Sequence, residues 1–305
     1  MQKTDTALLP QQGEQAGNSA AITQIIQPRM ADLGEFSVRR LLPVKERKTI
    51  GPWIFFDEMG PADFAVGSGI SVRPHPHIGL ATVTYLFSGE ILHRDSLGTV
   101  QVIRPGDINL MVAGKGIVHS ERERPELKAS AHSLHGLQLW LALPLAHEET
   151  EPAFYHFPAA SIPAFEVQGV SVRVMIGSAY GVTSPVPQFS TTLYLEAFLA
   201  PGQKLLLPQA AELGLYLLSG QLQMAGTALQ PQTLTVLGAD AVVEVEAFTA
   251  ARIALIGGDA IGQRFINWNF VSSSKERIEQ AKQDWQAGRF PKVPGDETEF
   301  IPYPA

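Results

Sequence analysis

Apolar residues in this chain recur in short runs of four to nine, many with the period of two that half-buried strands require. IGLATVTYLFSGEI, TVQVIRPGD, INLMVAG, GIVHSERE and HGLQLWLAL follow one another at intervals near ten residues, with Gly or Pro at the junctions. Regular short strands with turn residues between them predict a sandwich or barrel, not alternating β and α units. The same grammar returns in VSVRVMIGSA, TTLYLEAFLAPG, LGLYLLSGQLQ, TLTVLGAD and RIALIGG. Between the two sets, Pro144 to Pro163 has few periodic apolar positions, and a domain boundary is expected at 147/148. Upstream, GPWIFF suits a buried strand or a cavity lid, and ITQIIQP and EFSVRRLLP read as strands flanking the turn-like DLGE. Near the C-terminus the period changes. Ser273 to Glu276 has capping-box spacing, and Ile278, Ala281 and Trp285 share a face, so one amphipathic helix is expected over 273–287, with an extended tail beyond. The fold class read from this is all-β, two tandem barrels and one C-terminal helix: a leader over 1–21, domains over 22–147 and 148–270, and helix and tail over 271–305.

The halves share words as well as grammar. Tyr85-Leu86-Phe87-Ser88-Gly89-Glu90-Ile91 aligns with Tyr216-Leu217-Leu218-Ser219-Gly220-Gln221-Leu222 at an offset of 131, and Pro105-Gly106-Asp107 has a looser echo in Gly238-Ala239-Asp240. Duplication of one β-domain explains both. The same offset sets Leu206 opposite His75 and Pro208 opposite His77. All eight histidines lie from His75 to His156, so only the first barrel has imidazoles for chemistry.

Composition narrows that chemistry. With no cysteine, any metal must be held by nitrogen and oxygen. A net charge of −7 argues against a surface built for phosphate backbones. No apolar run reaches the roughly 18 residues a bilayer requires, and the polar, Gln-rich start has no apolar signal core; a cytoplasmic protein is expected.

Two ligand pairs stand out, His75-Pro76-His77 and His119-Ser120-Glu121. On a strand, residues i and i+2 point to one face, so each pair can aim at one point. Two adjacent strands would bring three imidazoles and a carboxylate together. The plainer account is two half-buried strands with polar residues toward solvent. His93 is a candidate to hydrogen-bond toward a ligand or to serve structure alone. His135 and Asp57 could line the mouth or be structural. His132, His147 and His156 read as surface residues, and Arg122-Glu123-Arg124 as a solvated charge run. AGKGI lacks the P-loop order and a following helix.

Gly69, five residues, then His75-x-His77 is the spacing of the first cupin motif, and His119-x-Glu121 falls where a second would. The sequence departs from the plain cupin in Thr82, where a glutamate is usual. PHPHIGLATVTYLFSGE, HRDSLG, PGDINLMVAGKGIVHSE, HGLQLW, GPWIFFDEMGP and FVSSSKERIEQAKQDWQAGRFPKVPGD together resemble the pirin family, from about Ile22 to the end. The resemblance implies a bicupin with metal only in the N-terminal barrel, on His75, His77, His119 and Glu121. Such ligands suit Fe(II), Mn, Ni, Co, Cu or Zn; Fe(II) is expected from the family. A divalent ion with these ligands keeps one net positive charge, which favours an anionic oxygen donor. The family's quercetin 2,3-dioxygenase activity fits, with a small aromatic substrate, O2, and Glu121 as general base for the flavonol hydroxyl. The alternative is a metal-binding regulator that docks a protein partner without turnover. Sugar isomerisation ranks last, since it needs a lysine or second acid near the metal and only Lys115 is at hand. Protonation of imidazole predicts metal release as pH falls through about 6.

Overall fold

The structure is a computed structural model that describes residues 21–32, 36–239 and 241–304. The expected leader, Ala21 excepted, lies outside the described residues, as do most of the DLGE turn and Asp240.

Each half builds one seven-stranded and one four-stranded antiparallel sheet, and the two halves match strand for strand. In the first, the order is Ala153–Phe157, Ile108–Val112, Leu80–Ser88, His132–Ala142, Trp53–Phe64, Ser37–Leu42, Arg29–Asp32. In the second it is Ile22–Ile26, Leu234–Leu237, Glu212–Ser219, Ala251–Gly258, Thr192–Leu199, Val170–Ile176, Ala164–Val167. The small sheets are Ser71–His77, Ile117–Arg122, Ile91–Asp95, Val100–Ile103 and Lys204–Leu206, Glu244–Ala247, Leu222–Met224, Thr227–Leu229. The all-β reading and the internal duplication both hold. The halves also exchange edges: Ile22–Ile26 pairs with Leu234–Leu237 of the second half, and Ala153–Phe157 with Ile108–Val112 of the first. Sheet membership therefore crosses the sequence position 147/148 from both sides.

The large sheets share a core. Trp53, Phe56, Tyr85, Leu110 and Leu139 of the first pack with Ile176, Tyr194, Tyr216 and Ile256 of the second. Trp53 Nε1 donates to the carbonyls of Leu193 and Gly257 at 3.1 Å each, which satisfies its polar atom across the joint. Two further bonds are reciprocal. Tyr85 Oη donates to Glu196 at 2.6 Å and Tyr216 Oη to Glu58 at 2.7 Å.

The duplication corrects two alignments. Leu205 pairs with Val245 as His75 pairs with His119, and the Leu207 N–H reaches the Val243 carbonyl where His77 faces Ile117. The counterparts of His75 and His77 are thus Leu205 and Leu207, not Leu206 and Pro208. The loop before the Tyr216 strand is one residue longer than that before Tyr85, and a one-residue slip turns a side chain to the other face: Leu206 is 41% exposed, Leu205 fully buried. Likewise Ile108 pairs with Tyr85 as Leu234 pairs with Tyr216, so Pro231-Gln232-Thr233, not Gly238-Ala239-Asp240, is the counterpart of Pro105-Gly106-Asp107.

The C-terminal helix spans Lys275–Gln286 and buries Ile278 and Ala281. Its N-cap is Ser274, one residue later than expected, whose Oγ accepts from the Arg277 N–H at 3.2 Å. Ser273 instead donates to the buried carboxylate of Glu148, a partner remote in sequence. No described helix is long and apolar enough to cross a membrane.

Candidate metal centre and its cavity

Ser71–His77 is an edge strand, which is why it tolerates Pro74 and Pro76, residues without a ladder donor. It starts from Gly69 at φ +148°, where a Cβ would fall 1.8 Å from the Glu123 carboxylate; a glycine is required there. His119 sits directly opposite His75, and on its other side opposite Asp95. A bulge between His119 and Glu121 shifts the register with the first strand, so Glu121 falls opposite Val72, while on its other side it stays opposite His93.

The described residues place His75, His77 and His119 in one buried cluster, with ligand-type nitrogens all within 4.8 Å of one another. His77 Nε2 and His119 Nε2 are 3.1 Å apart. His75 Nδ1 donates to the Arg73 carbonyl at 2.9 Å, which leaves its Nε2 bare. His77 Nδ1 faces the Asn269 backbone without meeting hydrogen-bond geometry. Burial lowers all three imidazoles: His75 to about 4, His77 and His119 well below the usual value. They are neutral at pH 7, the form that ligates.

Glu121 is beside this cluster but not within it. Thr84 Oγ1 donates to its Oε1 at 3.3 Å and to Gln138 at 2.8 Å, and burial pushes the Glu121 carboxyl up. It lines the same cavity as His75 and His77, about 480 Å³, a size that suits a small organic ligand. Phe55 and Trp140, directly paired across neighbouring strands, stack at 4.0 Å, and the Trp140 ring meets His77 edge-on at 5.0 Å. The Arg40 guanidinium lies over the Phe55 ring and grips Asp57 with two bonds of 2.8 and 2.6 Å. Burial still raises Asp57 to about 6, against the pull of Arg40. Trp268, Asn269 and Ile301 come from the far C-terminus to complete the cavity. The tail is irregular, as expected, yet anchored: the Ile301 N–H reaches the Pro74 carbonyl, and Arg122 pairs with Asp296 and Glu299.

Several expected surface residues are otherwise engaged. Arg124 pairs with Glu90, and Glu123 is buried against His132, so the charge run is ion-paired and only partly solvated. His132 is half-buried, as are His147 against Phe189 and His156 bonded to Asn109. His135 bonds Glu58 at the joint between barrels, the structural role. Lys115 pairs with Glu151 at the surface, which removes the one lysine that an isomerase reading had. Phe55, Gln138, Trp140 and Arg40 were missed as cavity residues. The i, i+2 spacing of Phe55 with Asp57 and of Gln138 with Trp140 gave each pair one face, but nothing local said which face lined a cavity, and Arg40 comes from a separate strand.

Residues 35–141 match the family model described as Pirin, and residues 194–291 that of the Pirin C-terminal cupin domain. A pirin-like protein of Caulobacter vibrioides is 44% identical over 287 residues, covering 93% of this chain and 99% of that protein. Pirin of Homo sapiens is 32% identical over 281 residues, covering 88% and 93%. A crystal structure of quercetin 2,3-dioxygenase from Acinetobacter baumannii superposes with a TM-score of 0.86 at 32% identity, covering 92% of this chain and 95% of that one.

Proposed function

The chain belongs to the pirin family, and from that membership we propose that it is a metal-dependent dioxygenase that opens flavonols such as quercetin with O2. The carrying observation is the buried three-histidine cluster, two of whose rings, His75 and His77, line a cavity faced by Phe55 and Trp140. The cluster fits an ion. Two nitrogens about 2.1 Å from one metal at a right angle lie about 3.0 Å apart, and the facing nitrogens of His77 and His119 are 3.1 Å apart. Both facing nitrogens carry lone pairs in this reading, and a cation between them satisfies both. In this reading His75, His77, His119 and Glu121 hold Fe(II). When bound, the ion supplies Lewis-acid and redox chemistry to substrate and O2.

The chain's own residues do the rest. Phe55 and Trp140 give a flat apolar wall for a planar aromatic ligand. Arg40 and Asp57 give the same cavity a polar patch for phenolic hydroxyls. Glu121, its carboxyl raised by burial, takes the proton of the flavonol hydroxyl, and Thr84 orients it. Glu121→Gln keeps the shape and removes the base, so quercetin consumption should fall by about 100-fold or more. Oxygen uptake by iron-loaded protein measures it. Full activity in that variant, or quercetin loss without oxygen, would sink the proposal; a fully metal-loaded wild type without turnover would favour the regulatory alternative.

A further inference from the structure

Behind one imidazole of the cluster runs a buried polar file that the proposed reaction does not use. His119 Nδ1 lies 3.4 Å from His93 Nδ1, and His93 Nε2 lies 3.1 Å from Asp95 Oδ2. His93 is 2% exposed and Asp95 fully buried. Asp95 cannot turn freely, because its Oδ1 accepts from the backbone N–H groups of Leu97 at 2.9 Å and Thr99 at 3.0 Å. The His93 ring is fixed in turn by stacking on Phe154, centroids 4.3 Å apart.

Proton accounting admits one neutral arrangement. An ionised carboxylate only accepts, so His93 must carry its proton on Nε2. Its Nδ1 is then bare and also only accepts. His119 must therefore carry its proton on Nδ1, which leaves the lone pair on Nε2, the atom that faces His77. A doubly protonated His93 would donate to Asp95 and to His119 alike, but it would put a second positive charge behind a cation site.

We propose that Asp95 and His93 are positioning residues that lock His119 into the tautomer whose Nε2 is free to ligate. The inference rests on the metal-site reading of His119. It makes the file a carboxylate–imidazole–imidazole support, a longer version of the outer shell that orients metal-bound histidines.

Asp95→Asn tests it, because the change is isosteric. The two backbone N–H bonds hold the amide oxygen at the Oδ1 position, so the amide N–H₂ must point at His93. That pushes the His93 proton to Nδ1, where it meets the Nδ1–H of His119, and the proton of His119 must move to Nε2. Zinc affinity, measured by competition titration, should fall by about 10–100-fold in a protein whose circular dichroism is unchanged. In a His93→Phe background the same change should have no further effect on zinc affinity, since the path is already cut. Wild-type affinity in folded Asp95→Asn would overturn the proposal. So would additive losses in the double variant. If Asp95→Asn does not fold, nitrogen-15 shifts of metal-free wild type decide: Nδ1–H on His119 and Nε2–H on His93 are expected, and the opposite tautomers refute it. A wild type that bound no zinc would defeat the proposed function, while those shifts would still judge the file.

Discussion

The two barrels have one topology and opposite interiors. Where the first carries His75, His77, His119 and Glu121, the register of the second sets Leu205, Leu207, Val245 and Ala247. Where the first carries His93 and Asp95, the second has Leu222 and Met224. All six replacements are buried and apolar, and they join one continuous aliphatic cluster. The first barrel's apolar residues instead form two smaller clusters, one with Phe55 and Trp140 and one with Met59 and Ile91, both of which contribute walls to the cavity. A jelly-roll barrel can close on itself or hold a cavity with polar ligands, and here a duplicated chain does each once. The filled barrel gains apolar burial; the hollow one gives that up for a site.

The largest test of this contrast removes a ligand. His119→Ala should weaken zinc binding by more than the roughly 100-fold that an outer-shell change produces, whereas Val245→Ala at the matching position should leave it unchanged; titration of both decides.

Acid separates the barrels next. His75 falls from 6.5 unfolded to about 4 folded, so below pH 6.5 the unfolded chain binds the extra proton first. Stability is complete above pH 6.5 and drains as pH falls toward 4, by about 3 kcal/mol for this residue alone. Metal-free protein should therefore lose Tm between pH 6.5 and 4, and His75→Leu should flatten that slope. At the proposed site the same burial should hold metal release below the pH of about 6 expected for a free imidazole. An unchanged slope would mean that the site is wetter than its geometry.

A third test converts one interior toward the other. Leu207→His places an unpartnered imidazole in the aliphatic cluster and should cost about 2–3 kcal/mol in denaturant unfolding without adding a metal site. The smallest effect concerns the reciprocal joint. Tyr85→Phe and Tyr216→Phe each withdraw one donor from a buried glutamate, and each should cost about 1–2 kcal/mol. Losses of similar size are expected; a loss confined to one would break the pseudo-symmetry.

The ligand pairs were legible because i, i+2 spacing needs no tertiary knowledge, and the duplication was legible in the Tyr85 and Tyr216 segments. The alignment around His75 slipped by one residue because it crossed a loop whose length differs between copies, and in a strand that error exchanges inside for outside. The cavity wall was illegible for another reason: Phe55 and Trp140 meet only through the register of strands far apart in sequence. Ser274 displaced Ser273 as N-cap because Ser273 is taken by Glu148, which no local pattern records.

The most direct test of the account is the number of ions per chain, read by native mass spectrometry of protein loaded with excess iron or zinc and then desalted. One ion in the wild type and none in the His75→Ala/His77→Ala double variant is the predicted result. Two ions per chain, or one retained after both imidazoles are gone, would contradict a single centre in the first barrel.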